Sequence, residues 1–159
     1  MKRNMIGAKL LNKLKMKRLQ IHKGKDNFYE IAKTEHGEPV LIGILDTDES
    51  SLTIQLLYTD TIKFYRATFL GSFIADRMVI GDIRVLDGPS YSPKFKKPYG
   101  KGYGSVLMLQ ALKVAKQRGV KEVTGDMVSF DDEQKNRQIN YYSKFGFSID
   151  SQNQLLKPL

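Results

Sequence analysis

Gly100, Gly102 and Gly104 alternate along Tyr99-Gly100-Lys101-Gly102-Tyr103-Gly104-Ser105, and a helical pattern begins directly behind them. Without Cβ atoms the backbone turns tightly, and its N–H groups can converge on a phosphate. The positive end of a helix adds to that attraction. The chemistry this stretch can do is therefore anion binding, and its ligand carries phosphate. Behind the glycines, Val106, Leu107, Leu109, Leu112 and Ala115 keep a helical period. Lys113, Lys116 and Arg118 fill the last turns and Gly119 stops the helix, which suits its dipole.

Other chemistries are narrowed by composition. The 159 residues include no cysteine, so disulfides, thiolate metal sites and a cysteine nucleophile are excluded. The two histidines, His22 and His36, lie apart in sequence, and no metal is expected. A P-loop requires Gly-Lys-Ser/Thr, which does not occur. A dinucleotide-binding turn follows its strand at once, whereas residues 87–99 separate Leu86 from Gly100. No apolar run approaches the roughly 20 residues of a membrane span, and the basic start lacks the apolar core of a secretory signal. The expected location is the cytoplasm.

The net charge of +9 is uneven. Residues 1–25 hold nine of the 26 Lys/Arg and no acid; the other 17 balance the 17 Asp and Glu. The spacing predicts a helix over 5–19 with Ile6, Leu10, Leu11 and Leu14 on one side and Lys9, Lys13 and Lys17 between. Arg18–His22 reads equally as a first strand. Packing of this helix on the core, an anionic membrane, nucleic acid and an acidic partner all stay open as its role.

The elements that must position the glycine loop follow from alternation. Tyr29–Lys33 and Val40–Leu45 flank a turn at Glu35–Glu38. Leu52, Ile54, Leu56 and Tyr58 alternate, then Ile62, Phe64, Arg66 and Thr68, with Gly71 as a break. Met78–Leu86 is one more strand, with Val79, Ile83 and Val85 on one face. Strands in succession predict an antiparallel meander. The loop 87–99 carries Lys94, Lys96 and Lys97, and with Lys101 they set positive charge beside the glycines. Val120–Val128 then forms a strand parallel to Met78–Leu86, as a strand–helix–strand unit requires. Asp131 or Asp132 caps a second helix, with Ile139, Tyr142 and Phe145 on one face, and a hairpin over 147–156 closes the chain.

Two motifs in this order carry a resemblance. The glycine loop resembles the Arg/Gln-x-x-Gly-x-Gly/Ala pyrophosphate loop of the GCN5-related N-acetyltransferases, with Tyr99 in place of the Arg or Gln. Tyr142-Ser143-Lys144-Phe145-Gly146-Phe147 is similar to that family's Tyr-x-Lys-x-Gly-Phe ending, about forty residues on. The resemblance covers about residues 78–150 and is weak before them. The family's frequent Asn seven residues before the Tyr falls on Lys135 here, so no Asn contact is carried over.

The resemblance implies an α/β (α+β) fold: a mixed, mostly antiparallel sheet of about six to seven strands with a splayed parallel pair, flanked by helices. It divides the chain into a basic arm at 1–25 and a single acetyltransferase-like domain at 26–159. It implies acetyl-CoA as the acetyl donor, with the pyrophosphate on Tyr99, Gly100, Lys101, Gly102, Tyr103, Gly104 and Ser105, and the pantetheine arm along the backbone of Val85 and Leu86. Tyr142 matches the tyrosine that protonates the departing thiolate, although it could equally be a core aromatic, as could Tyr141. With no cysteine, the amine attacks directly in a ternary complex. Asp82 on the splayed strand is the candidate base, or else a partner of Arg84; Asp126 is a second. The acceptor is a small-molecule or peptide amine, and a homodimer stays open. The competing readings are a non-catalytic module for coenzyme A or a nucleotide, and a nucleic-acid or acidic-partner binder acting through 1–25.

Overall fold

The computed structural model describes residues 2–22, 29–59, 64–85 and 100–159. Leu86, Tyr99 and the lysines between them lie outside the described residues.

Helix α1 (Lys2–His22) opens the chain, so Arg18–His22 is helical and not a strand. Strands β1 (Tyr29–Lys33), β2 (Pro39–Thr47), β3 (Ser51–Thr59), β4 (Phe64–Ile74) and β5 (Arg77–Arg84) form the antiparallel meander. Helix α2 (Tyr103–Gln117) leads to β6 (Glu122–Asp126), which pairs parallel to β5. Helix α3 (Asp132–Lys144), β7 (Ser148–Ile149) and β8 (Gln154–Pro158) complete an eight-stranded sheet of order β1-β2-β3-β4-β5-β6-β8-β7. The sheet has eight strands where about six to seven were expected, because both strands of the closing hairpin join it.

The two faces of the sheet are covered unequally. Val40, Ile42, Leu52, Ile54, Leu56, Phe69, Met78 and Val123 point into one large core with α2. That helix contributes Tyr103, Leu107, Met108, Ala111, Leu112, Val114 and Ala115. Leu109, expected in its apolar stripe, is 59% exposed. At about 100° per residue it falls opposite Leu107 and Ala111, which take the inward face. On the other face Leu14 of α1 packs with Tyr29, Leu41 and Leu57. Leu14 is the one fully buried side chain α1 provides among the described residues, worth roughly 1.5–3 kcal/mol.

One irregularity shapes the site. In the β4–β5 ladder Leu70 is opposite Asp82 and Gly71 opposite Ile80, so Gly81 is an extra, unpaired residue. Such a bulge re-aims everything after it. Met78 and Ile80 face the core before it, and Ile83 and Val85 after it. Val79 therefore does not share the face of Ile83 and Val85. Gly71 does not break β4, which runs on to Ile74. It marks the bulge from the partner strand, where a Cβ would stand 2.9 Å from the Phe69 ring.

Candidate cofactor and active site

The glycine loop enters α2 with the backbone its sequence calls for. Gly100 and Gly102 have φ of 79° and 86°, in the left-handed region where a side chain is strained. Gly102 is the N-cap, and among the described residues no side chain caps this end; the first turn carries no acid. The first N–H groups of a helix have no intrahelical acceptor, so this turn presents donors that no side chain among the described residues caps. Lys101 is exposed beside them. Gly104 has a different reason to be glycine: a Cβ there would lie 3.4 Å from the Tyr141 ring. The Tyr141 hydroxyl donates to the Gly104 carbonyl at 2.7 Å, fastening α3 against α2, and burial pushes this phenol's pKa up.

The β1–β2 turn supplies the opposite wall, which the sequence did not reveal. Thr34 builds it: its hydroxyl accepts from the N–H groups of His36 and Glu38, and its carbonyl accepts from Gly37 N–H at 2.9 Å. The turn reaches the glycine loop three times. His36 Nε2 lies 3.1 Å from the Gly100 carbonyl. The Glu35 side chain lies 3.3 Å from where a Gly102 Cβ would be. The Tyr103 hydroxyl donates to Glu38 Oε1 at 2.7 Å. The Tyr103 ring stacks on Tyr58, with centroids 4.0 Å apart, and Tyr58 stacks on Tyr65 at 5.4 Å. Burial is the main force raising the Tyr58 and Tyr103 phenol pKa values, with Glu38 adding to both. Tyr58 also donates to the Val85 carbonyl at 3.0 Å, so one of the expected pantetheine contacts is already engaged.

Lys144 links the two walls. Its ammonium donates to Glu35 Oε2 at 3.0 Å and to Ser105 Oγ at 3.2 Å. The hydrogen bond and charge of Lys144 hold the Glu35 carboxyl below its usual range. A cation thus sits at the first turn of α2, although the position expected for one in the loop is Tyr99. Lys144 lies inside the Tyr142–Phe147 motif, which was the signal for it. Glu35, His36, Glu38 and Tyr58 gave no such signal, because their contacts join segments far apart in sequence.

The splay lies beside this turn. The parallel β5–β6 ladder runs from Arg77 opposite Glu122 to Ile80 opposite Gly125 and ends at the bulge. Beyond it Asp82, Ile83 and Arg84 pair with β4, and Asp126 pairs with Gln154 of β8. Past Ile80 and Gly125 the two strands no longer pair with each other. Tyr142 is buried at the edge of the core, in T-shaped contact with Tyr141 and Phe147. Burial first, and the Asp82 carboxylate second, raise its pKa. Asp82 is also ion-paired with Arg84 Nε at 2.5 Å. Asp126 is exposed at the end of β6.

Among the described residues there is no group of three or more His, Cys, Asp or Glu that could hold a metal ion. No helix among them is long and apolar enough to cross a membrane.

No protein-family model matches the chain. It is 24% identical over 143 residues to the uncharacterized protein YocC of Bacillus subtilis (strain 168), covering 82% of this chain and 78% of that one. Among solved structures it resembles the PaiA N-acetyltransferase of Thermoplasma acidophilum in complex with coenzyme A, with a TM-score of 0.50 and 18% identity, over 69% of this chain and 62% of that one. It resembles a cAMP-binding acyltransferase of Mycobacterium smegmatis with a TM-score of 0.60 and 12% identity, over 91% of this chain and 51% of that one. It also resembles nourseothricin acetyltransferase, with a TM-score of 0.50 and 19% identity, over 84% and 85%. The chain thus spans about half to two thirds of the first two structures. At these identities the likeness is one of fold.

Proposed function

We propose that this chain, which carries the fold of the GCN5-related N-acetyltransferases, is a cytoplasmic acetyl-CoA-dependent N-acetyltransferase acting on a primary amine of a small molecule or peptide. One observation carries the reading: the N-terminus of α2, free of side-chain cap and acid among the described residues, lies near the end of β5, past the point where its pairing with β6 stops, with Tyr58 bridging Tyr103 and Val85. The diphosphate of coenzyme A rests on the N–H groups between Gly100 and Ser105. The pantetheine arm enters where the two strands part, along the outer backbone of β5. The coenzyme A bound by the structurally similar PaiA enzyme supports this choice of donor.

The reaction needs few groups. The neutral amine attacks the thioester carbonyl in a ternary complex, forming the C–N bond. The tetrahedral intermediate then loses the C–S bond. Tyr142 gives its phenolic proton to the departing sulfur, and Asp82 takes the proton the amine sheds, directly or through water. Tyr142 suits the donor role because its raised pKa keeps the phenol protonated at neutral pH. The sign sets a pH prediction. A donor acts in its protonated form, so the alkaline limb of kcat for the unmodified enzyme lies above the ordinary tyrosine range of about 10. Tyr142→Phe lowers kcat about 100-fold and removes that limb. Retention of full activity in Tyr142→Phe would reject the tyrosine's role.

The test of the proposal is calorimetric titration of the purified chain with acetyl-CoA, with NAD and ATP as controls. The expected result is saturable binding of acetyl-CoA, with a Kd of order ~1–100 μM, and little heat from the controls. Absence of acetyl-CoA binding overturns the reading.

A further inference from the structure

Helix α1 has two apolar faces. The inner one, from Leu10 to Lys17, rests on the sheet: Leu14 is buried, and Lys13 and Lys17 lie over the Phe64 ring. The outer one is a second stripe. Met5, Ala8, Asn12, Met16 and Leu19 recur at intervals of three and four and fall within about 80° of arc on a helix. Met5, Met16 and Leu19 are 61%, 60% and 60% exposed. Lys9 flanks the stripe on one side and Lys15 on the other, both exposed. Residues 1–25 hold nine cations and no acid.

We infer that this outer face docks α1, lying flat, on an anionic lipid surface. A stripe of large apolar side chains bordered by Lys9 and Lys15, interrupted only by Asn12, has the form of an interfacial helix, with hydrocarbon taking the stripe and headgroup phosphates the lysines. Charge selects this occupant over the others. A second copy would press one uncompensated cationic helix against another. Nucleic acid would satisfy the lysines but leave two methionines and a leucine in water. The face lies on the side of the sheet opposite α2, so docking leaves the glycine loop uncovered. The inference does not depend on the acetyltransferase reading.

Sedimentation of the full chain with phosphatidylcholine vesicles, with and without phosphatidylglycerol, tests it. The variants are Met16→Glu/Leu19→Glu on the stripe and Lys9→Gln/Lys15→Gln on its flanks, all at exposed positions, with circular dichroism and melting as checks on folding. The expected result is binding to anionic vesicles only, weakened about tenfold or more by either double variant at unchanged melting temperature. No binding to anionic vesicles overturns the inference. So does binding that Met16→Glu/Leu19→Glu leaves intact, or tighter binding to duplex DNA that the same variant leaves intact.

Discussion

The two helices that flank the candidate site begin in opposite ways. The N-terminus of α3 is filled by the chain itself: Asp131 caps it, accepting from Gln134 N–H at 2.7 Å, and Asp132 and Glu133 occupy its first turn. The N-terminus of α2 begins at a glycine, with no acid in its first turn and, among the described residues, no side-chain cap. A capping side chain is worth about 1 kcal/mol, so α2 forgoes stability that α3 takes. The nearest wall of the α2 turn does hold a carboxylate, Glu35, but Lys144 ties it back. On the proposed reading, the contrast separates a helix end used for folding from one kept for a ligand.

The largest expected effect comes from making α2 begin as α3 does. Gly102→Asp places a carboxylate at the N-cap and a Cβ against the Glu35 side chain, at a φ where any side chain is strained. A like charge about 5 Å from a diphosphate costs about 3 kcal/mol at an effective dielectric of ~20. Acetyl-CoA affinity should fall about 100-fold or more by calorimetry. Unchanged affinity would show that the phosphates do not use this turn.

A smaller effect sharpens the same point. Lys144→Met removes the cation at the first turn and should raise the Kd for acetyl-CoA about fivefold, with the effect shrinking in high salt. Glu35→Gln frees that cation and should lower the Kd about threefold. If both variants weaken binding equally, the pair holds the wall in shape and Lys144 has no separate role at the phosphates. The smallest effect on binding should come from α3: Asp131→Ala costs about 1 kcal/mol in denaturant unfolding and leaves acetyl-CoA affinity alone.

The parts of the site written in local chemistry could be read ahead of the structure. The glycine loop, the Asp131 cap, the Gly119 stop and the parallel pairing of β5 with β6 each follow from short-range rules about φ, capping and connection length. Tyr142 and Lys144 were within reach through their motif, although only the structure puts Lys144 beside Ser105. The wall made by Glu35, His36 and Glu38 was read as a plain turn, which it is; its second use depends on tertiary contacts to residues 64 to 109 positions away. The faces of β5 were misread because alternation assumes an unbroken period of two, and Gly81 breaks it without any change in hydrophobicity to mark the place. Leu109 was misread for a milder reason: Leu107 and Ala111 fit the core-facing arc better.

The bulge at Gly81 acts as the stop on a zip. The β5–β6 ladder closes from Arg77 to Ile80 and goes no further, because the next residue of β5 is committed to a kink against β4. The place where the two strands part is therefore written in the covalent chain. An extended arm arriving there meets parted strands and displaces no ladder hydrogen bonds, so little of its binding free energy goes into opening the protein. Deleting Gly81 would let the zip run on, bring the strands together over Asp82 and return the strand to one frame. Ile83 and Val85 would keep the core face, now in unbroken alternation with Met78 and Ile80.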